Sequence, residues 1–372
     1  MRLAILNLTG GGTSGGHRNY LQGILPRLAG SGKFSSILCA SPASIGIEKW
    51  LPDIPTVRRV ECEPFRPFRH EPGPMLKAAL DSFGPDLLFV TVERYVRYRD
   101  LPVVIFLHNM APLAGIRTGS GLRERLVSLA RAYEARYAIK RAAAVIAPTD
   151  FVRDYLIARE NASPGRVTRI HFGAAPLPAK PVEPEGFPFR PGEFIFTAGS
   201  LEAYRGIEDI IKALPALKAA LPGIKLAVAG GARPEALAYA SGLRKLASEL
   251  GVDRDIAWLG NLDAARLAWC YAHCSVCVLT SRMESFCFVA LEAMQHSCRV
   301  VAADRACLPE VLGGAADYYK AGDHEALSSL LSKKLASGRP PAAGPAARTA
   351  LFSWDKAAAA TLDVLLKAAS RA

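Results

Sequence analysis

Long apolar runs, secretory patterns and cysteine-rich loops are all missing from this chain of 372 residues. No eighteen consecutive residues are apolar, so the sequence predicts no membrane-spanning helix. Met1 and Arg2 lead into a strand-like segment with none of the features of a secretory signal, and we expect a cytoplasmic protein. The eight cysteines lie within apolar segments, which indicates reduced, buried thiols and argues against a disulfide framework.

Charge is scarce but unevenly distributed, with only 22% of the residues charged and a formal net charge of +12. Residues 1–172 carry 24 Lys and Arg against 14 Asp and Glu, whereas residues 173–372 carry 22 against 20. A basic first half can attract an anionic acceptor or the inner face of an anionic membrane. The alternative is an ordinary solvated surface. No basic stretch is interleaved with a nucleic-acid-binding motif, so we expect no nucleic-acid partner.

Apolar strand-like segments alternate with amphipathic segments along the chain, a pattern typical of repeated βαβ units. We predict an α/β protein with two Rossmann-like, doubly wound domains that face each other across a cleft. The first domain covers residues 1–173, a proline-rich linker covers 174–192, and the second domain covers 193–354. The final helix, 355–372, is expected to pack back on the first domain.

A long helix is predicted after Pro112. Leucine and tyrosine form one stripe of this helix and arginine lies on the other face: Leu122, Leu126, Leu129 and Tyr133 against Arg123, Arg125, Arg131 and Arg136. We interpret it as a surface helix that packs its apolar stripe on a sheet. A helix lying on a membrane surface is the alternative.

Two carboxylates, Glu284 and Glu292, lie eight residues apart just after the strand-like segment 276–280. We predict a helix from Ser285 onward, with Glu284 at its start and Glu292 about two turns inside. The free N–H groups and the dipole of a helix N-terminus favour a diphosphate. An ionised acceptor bonds neutral sugar hydroxyls strongly. The pattern therefore predicts a site for a nucleotide-sugar.

Two features of the first half point to ligand binding more weakly. The run Gly10-Gly-Gly-Thr-Ser-Gly-Gly16 joins a strand to a helix, and glycines there allow a ligand close to the backbone. A flexible turn is the alternative, since neither a dinucleotide fingerprint nor a P-loop lysine is present. His108 follows the strand 103–107, so it is expected at the edge where ligands bind parallel sheets. A structural cap is its alternative role.

The cysteines of Cys270-x3-Cys274-x2-Cys277 have the spacing of an iron–sulfur loop in radical enzymes. However, the first two are predicted at the end of a helix and Cys277 inside a strand, which makes convergence on one cluster difficult. The Asp253-Arg-Asp255 pair resembles a metal-binding carboxylate motif, but a solvated turn explains it better. We predict no metal site.

Taken together, these motifs resemble the retaining GT-B glycosyltransferases of family 4. The resemblance rests on Glu284–Glu292 with its flanking residues, and on Leu308-Pro-Glu310, Gly199–Gly206, the glycine run and His108-Asn109. It extends over nearly the whole chain. It implies a metal-independent hexosyltransferase without a cofactor, whose donor is a GDP- or UDP-linked sugar.

The resemblance also implies roles for the second-domain residues. Glu292 would hold the ribose hydroxyls, and Glu284 would contact the donor sugar. Arg205 would neutralise the departing diphosphate. The backbone amides of one short segment would line the diphosphate and sugar: Ser285, Phe286 and Cys287.

In the first domain, the resemblance implies that Gly15 and Gly16 close over the donor. His108 would touch the transferred sugar, with Asn109 beside it in the substrate-binding set. Ser200 of the second domain completes that set.

Three departures from the family pattern concern the same region. Ser200 stands where the family usually has Arg, which removes a phosphate cation. Ser285 and Cys287 stand where glycine is usual in the loop between the two glutamates. Ala306 and Cys307 replace the usual glycines before Leu308.

The segment Leu107-His-Asn-Met-Ala-Pro112 is similar to one in bacterial O-antigen sugar transferases, several of which use mannose. We therefore expect transfer of a mannose-type hexose to a lipid-linked envelope glycan, with the inner membrane face as a peripheral contact. A sugar-nucleotide epimerase of the same fold and an inactive nucleotide-sugar-binding homologue are the alternatives. The radical iron–sulfur enzyme is a third.

Overall fold

The computed structural model describes residues 1–9, 15–116, 122–178, 180–337 and 343–371. The chain divides into two compact units. The first unit comprises Met1–Gly115, Val127–Gly173 and Phe352–Ala372. The second comprises Ile116–Leu126 and Ala174–Leu351. Each is a Rossmann-like parallel α/β unit, which confirms the predicted fold class.

Within the described residues, thirteen strands and twelve α-helices build these units. The strands of the first sheet are β1 (Arg2–Leu6), β2 (Ser36–Pro42), β3 (Val57–Cys62), β4 (Leu87–Val90), β5 (Val103–Phe106), β6 (Ala144–Ala147) and β7 (Val167–Arg169). Those of the second are β8 (Phe194–Ala198), β9 (Lys225–Ala229), β10 (Ile256–Gly260), β11 (Val276–Leu279), β12 (Val300–Ala303) and β13 (Ala316–Tyr319).

The helices follow in chain order: α1 (Gly15–Ala29), α2 (Pro74–Phe83), α3 (Leu122–Arg141), α4 (Asp150–Arg159), α5 (Glu208–Ala220), α6 (Leu237–Glu249), α7 (Ala264–His273), α8 (Phe288–Gln295), α9 (Leu308–Leu312), α10 (His324–Ala336), α11 (Ala343–Thr349) and α12 (Trp354–Ala369). None of the described helices is long and apolar enough to cross a membrane.

Both sheets reverse their strand order at one point. The orders are β3-β2-β1-β4-β5-β6-β7 and β10-β9-β8-β11-β12-β13, with every pairing parallel. The reversal lies between β1 and β4 in the first sheet and between β8 and β11 in the second. The carboxyl ends of those strands are where open parallel sheets bind ligands.

The central strands are apolar because both faces of each sheet are covered by helices. In β1, Leu3, Ile5 and Leu6 are at most 1% exposed. Burial of each such side chain stabilises the fold by roughly 1.5–3 kcal/mol. The sheets therefore form rigid platforms for the loops at their ends.

The C-terminal helix α12 packs within the first unit. Trp354 lies so close to Gly23 of α1 that a Cβ on that glycine would come within 2.2 Å of the indole. Arg27 donates from Nε to Asp355 at 2.6 Å. A small residue at position 23 is thus a condition for docking the last helix.

The proline-rich segment predicted as a linker largely packs on the second unit. Phe187 contacts Phe194 and Trp269, with ring centroids 4.9 and 5.0 Å apart. The Val182 amide donates to the carbonyl of Ala265 at 3.0 Å. Much of residues 174–192 is therefore an ordered strap on the second unit.

The interpretation of α3 as a helix that buries its apolar stripe is wrong. Leu126 and Leu129 are each 58% exposed and Tyr133 is 49% exposed. The buried side chains of this helix include Ala132, Ala135, Ala138 and Ile139. Small alanines let the helix backbone approach the unit closely, and the larger residues point outward instead.

Candidate functional site

In the second unit, the loops after β8 and β11 are tied together. Thr280, which follows β11, donates from Oγ1 to the carbonyl of Arg205 at 2.6 Å. The Arg282 amide donates to the carbonyl of Tyr204 at 2.8 Å. These bonds fix the position of Arg205 beside the loop that begins the Glu284–Glu292 segment.

Arg205 and Glu284 form an ion pair between Nη1 and Oε1. Their side chains are only 17% and 11% exposed. Ser281 donates from Oγ to the same carboxylate oxygen at 3.2 Å. Burial alone would lower the pKa of Arg205, but the Glu284 carboxylate raises it above its ordinary value. The cation and the carboxylate assigned to different parts of a donor are thus in contact with each other.

The helix predicted from Ser285 begins three residues later, at Phe288. The reason is the backbone of Cys287, whose φ of 68° and ψ of 77° are left-handed and cannot continue a helix. Ser285, Phe286 and Cys287 therefore form a loop, and Glu292 lies in the second turn of α8. Phe286 and Cys287 are 1% and 5% exposed, so this loop is held firmly in place ahead of α8.

Glu292 is held by a residue that the sequence did not single out. Tyr271, at the end of α7 and 1% exposed, donates from its hydroxyl to Glu292 Oε2 at 2.9 Å. Burial raises the pKa of Glu292, and the Tyr271 hydrogen bond partly opposes that rise. Among the described residues no other side chain bonds this carboxylate, so Oε1 is available to a hydroxyl donor.

Ser200 follows β8 in a region where two backbones approach closely. A Cβ on Gly230 would lie 1.9 Å from the carbonyl oxygen of Gly199, and both glycines have positive φ. The glycines after β8 and β9 are therefore needed for backbone contact between these loops. Ser200 itself is half-buried.

In the first unit, the carboxyl ends of β1 and β4 are joined by a buried polar chain. Asn7 donates from Nδ2 to Ser41 Oγ at 2.8 Å and to Cys39 Sγ at 3.3 Å, which orients its amide. Thr91 donates from Oγ1 to Asn7 Oδ1 at 2.8 Å, and His17 Nε2 lies 3.1 Å from Thr91 Oγ1. Since the threonine proton is already used, His17 is the donor in this contact.

His108 lies beyond β5, near this chain. Its ring centroid is 5.7 Å from that of His17, in an edge-to-face arrangement. Burial lowers the pKa of His108 to about 4. The pKa of His17 is lowered to about 3, mainly by burial and further by the neighbouring His108 ring. Both imidazoles are therefore neutral at pH 7 and can accept or donate hydrogen bonds without charge.

Asn109 and Glu93 shape the turn after His108. The amides of His108 and Asn109 both donate to Glu93 Oε2 at 3.4 Å. Asn109 Oδ1 accepts from the Ala111 amide at 2.9 Å. Gly15 and Gly16 open α1, and the rest of the glycine run, residues 10–14, lies outside the described residues.

The cysteine motif does not form a cluster. Cys270 is in α7, Cys274 caps that helix and Cys277 is in β11; all three are buried thiols outside any disulfide. Within the described ranges, no three His, Cys, Asp or Glu side chains form a group that could hold a metal ion. The iron–sulfur hypothesis gains no support from this arrangement. Asp255 instead pairs with Lys218 and Lys225, and Asp253 opens the short turn before β10.

The structure thus brings together Arg205 with Glu284 in the second unit and His108 with Asn109 in the first. Sequence reasoning missed Tyr271, Ser281, His17 and Glu93. Only Ser281 carried a local signal, as a hydroxyl three residues before Glu284. The others come from elements distant in sequence, and the roles of all site residues stay predictions.

Two family models match the chain. Glycosyl transferases group 1 matches residues 184–343, and Glycosyltransferase Family 4 matches residues 14–175. Curated relatives include D-inositol 3-phosphate glycosyltransferases from Mycolicibacterium paratuberculosis, 35% identical over 151 residues, and Streptomyces bingchenggensis, 37% identical over 152 residues. These matches cover 39% and 38% of this chain, but only 33% and 32% of the relatives. The matched stretch thus spans about a third of their length.

Solved structures resemble the entire chain at low identity. Sucrose-phosphate synthase from Thermosynechococcus elongatus has a TM-score of 0.75 at 18% identity, with 100% of both chains covered. Anabaena HepE, in complex with UDP and glucose, has a TM-score of 0.71 at 17% identity, covering 98% of this chain and 99% of HepE. The lipopolysaccharide outer core galactosyltransferase WaaB has a TM-score of 0.64 at 14% identity, with 99% of both chains covered. At these identities the likeness shows the fold alone.

Proposed function

The chain belongs to the family 4, group 1 glycosyltransferases, and on that premise we propose that it transfers a hexose from a nucleotide-sugar to a glycan acceptor. The observation that supports this proposal most strongly is the cluster of side chains where the strand order of the second sheet reverses, between β8 and β11. There a buried Arg205–Glu284 pair lies beside a loop that leads into α8. A cation, a carboxylate and backbone amides near a helix start are the groups that a diphosphate-linked sugar requires.

The proposed binding mode divides the donor among these groups. Glu292, with Oε2 bonded to Tyr271, presents Oε1 to the ribose hydroxyls. Arg205 turns from Glu284 to the diphosphate, and Glu284 then accepts from a hydroxyl of the sugar. Each exchange replaces one charged hydrogen bond by another, so the cost of opening the ion pair is offset.

In the proposed reaction, the bond between the anomeric carbon and the diphosphate oxygen breaks. The acceptor oxygen forms the new bond on the same face of the sugar, and its proton passes to the released diphosphate. Arg205 stabilises the charge that develops on that leaving group. The neutral His108 imidazole hydrogen-bonds the transferred sugar, and a metal ion has no part in the proposal.

For the acceptor, we propose a growing lipid-linked glycan of the bacterial envelope, with mannose-type donors as the first choice. The basic first half of the chain supports an anionic acceptor. A small phosphorylated polyol is the second candidate, because the curated relatives named above act on D-inositol 3-phosphate by their names. A lipid diphosphate and a phosphorylated polyol are both anionic, and the positive net charge of the first half of the chain favours either.

Calorimetric titration with UDP, GDP and ADP, followed by their hexose derivatives, tests the proposal. We expect one nucleoside diphosphate to bind and its hexose derivative to be consumed only when an acceptor is added. NMR of the product should show that the anomeric configuration of the donor is retained. Binding without turnover on either acceptor would favour an inactive homologue, and a free sugar-nucleotide product with changed stereochemistry would favour an epimerase.

A further inference from the structure

Three large apolar side chains form a contiguous exposed surface on the first unit, which we call the Phe68 surface: Phe68, Leu129 and Tyr133. They are 63%, 58% and 49% exposed. The rings of Phe68 and Tyr133 are 5.5 Å apart. Single exposed apolar residues are ordinary, but a contiguous patch marks an interaction surface.

The loop that carries Phe68 is built to hold it outward. Phe68 has a φ of 65°, a left-handed conformation that is unfavourable for a bulky residue. Its amide donates to Glu134 Oε1 at 2.6 Å, and His70 Nε2 lies 3.1 Å from Oε2 of the same carboxylate. Glu134 is 1% exposed. A buried carboxylate thus fixes a strained, exposed phenylalanine, and strain of this kind concentrates at functional sites.

Basic side chains surround this surface. Arg66 and Arg69 flank Phe68 in the loop, and both are exposed. Among the described residues neither Arg66 nor Arg69 takes part in an ion pair. Of the nearest acids in the sequence, Glu63 interacts electrostatically with Arg66 but hydrogen-bonds the amides of Met75 and Leu76, and Glu71 lies 3.7 Å from Arg97. The patch is therefore apolar with a positive rim.

We propose that the Phe68 surface docks on an anionic lipid bilayer. Phe68, Leu129 and Tyr133 enter the boundary between headgroups and acyl chains, while Arg66 and Arg69 contact lipid phosphates. A second copy of the chain fits less well, because a twofold contact would place like-charged arginines against each other. This membrane contact rests on the proposed function, because it would bring the first unit to a lipid-linked acceptor.

Co-sedimentation of the full chain with phosphatidylcholine vesicles, with and without phosphatidylglycerol, tests this surface. The wild type should bind the anionic vesicles and be released by added salt. Phe68→Ser combined with Leu129→Gln should lower the partition at least about tenfold, from the apolar area withdrawn. Arg66→Gln with Arg69→Gln should remove the preference for phosphatidylglycerol. Leu237→Gln, at an equally exposed leucine of the second unit, is the matched control and should bind as the wild type does.

Absence of vesicle binding by the wild type, or equal binding by the Phe68→Ser/Leu129→Gln variant, would overturn the proposal. Light scattering gives a further test, since a wild-type dimer that the same variant converts to a monomer would identify a self-association face instead. Matching circular dichroism spectra would show that the variants are folded. Transfer to a short soluble acceptor separates the two proposals. If the chain binds vesicles but transfers no sugar, only the proposed function is contradicted. If it transfers sugar but binds no vesicles, only the membrane contact of the Phe68 surface is contradicted.

Discussion

Arg205 and Glu284 are bonded to each other, not held apart for separate partners. The pair lies mostly out of solvent, and Ser281 donates to the shared carboxylate oxygen. Family resemblance assigns Arg205 to the diphosphate and Glu284 to the sugar. The ion pair couples these roles, because a ligand phosphate that takes Arg205 releases Glu284 for a sugar hydroxyl. A donor with both parts is therefore needed to satisfy both side chains.

Breaking this pair from one side should be costly. Arg205→Met or Glu284→Leu alone leaves a buried charge, and we expect a loss of about 3–5 kcal/mol in the unfolding free energy of the second unit. The double variant Arg205→Met/Glu284→Leu should recover most of that loss, since both charges are gone. Turnover should be lost in all three. Urea unfolding combined with a transfer assay checks this, and a double variant that retains turnover would show that the pair is structural only.

Tyr271→Phe should weaken nucleotide binding by removing the hydroxyl that orients Glu292. A loss of about 1 kcal/mol is expected for one hydrogen bond to a retained partner. The pH dependence is more specific. Burial raises the pKa of Glu292 and Tyr271 opposes this, so the variant should raise that pKa further. Nucleotide binding needs the ionised carboxylate of Glu292. As the pH is lowered, the nucleotide affinity of the variant should therefore begin to fall at a higher pH than that of the wild type. Calorimetry across pH 5–8 measures it, and an unshifted profile would assign Tyr271 to packing alone.

Ala306→Gly should stabilise the second unit. Ala306 has a φ of 53°, in the left-handed region where a Cβ costs roughly 1–2 kcal/mol. Part of that strain is offset by the greater flexibility of glycine in the unfolded chain, so we expect a gain of about 1 kcal/mol. Ala216→Gly, at an exposed position within α5, is the control and should destabilise by roughly 0.5–1 kcal/mol. Thermal unfolding that moves both variants in the same direction would contradict this reading.

Acid should destabilise the first unit through His17. Burial and the neighbouring His108 lower its pKa from 6.5 to about 3, so the unfolded chain takes up a proton between those values and the folded chain does not. The contribution of neutral His17 to the unfolding free energy is complete above pH 6.5. Below that pH the unfolding free energy falls by about 1.4 kcal/mol per pH unit. His17→Gln should flatten this dependence by that amount. Calorimetry at pH 7, 6 and 5 tests it, and parallel pH profiles for variant and wild type would count against it.

The sheets were largely predictable from sequence, because buried parallel strands are continuous apolar runs. The strands predicted at 103–107 and 276–280 are present, and each ends one residue earlier in the structure. The start of α8 was not predictable from helical spacing, since the left-handed backbone at Cys287 overrides it. The exposed stripe of α3 was missed for a different reason: periodicity identifies a face of a helix but not whether that face or the alanine face packs inward.

The site was predictable only where its members are neighbours in sequence. Glu284 and Glu292 lie in one loop and the helix that follows it, so their places in the fold follow from the local sequence. Tyr271 and His17 reach their partners through the order of the strands, which a single sequence does not specify. Cys287 and Ala306 link the sequence pattern to the backbone conformation most clearly, since both replace a glycine of the family pattern and both have positive φ.

The central claim is that Glu292 reads the ribose of a nucleotide bound to the second unit. Calorimetric titration of UDP and GDP into Glu292→Ala and wild type tests it most directly, with Glu249→Ala, at an exposed glutamate of α6, as control. We predict that Glu292→Ala weakens the binding free energy of the nucleotide by about 1.5–3 kcal/mol, the range for a hydrogen bond to a charged group. Glu249→Ala should bind the nucleotide as the wild type does. Unchanged affinity of Glu292→Ala for both nucleotides would contradict the account.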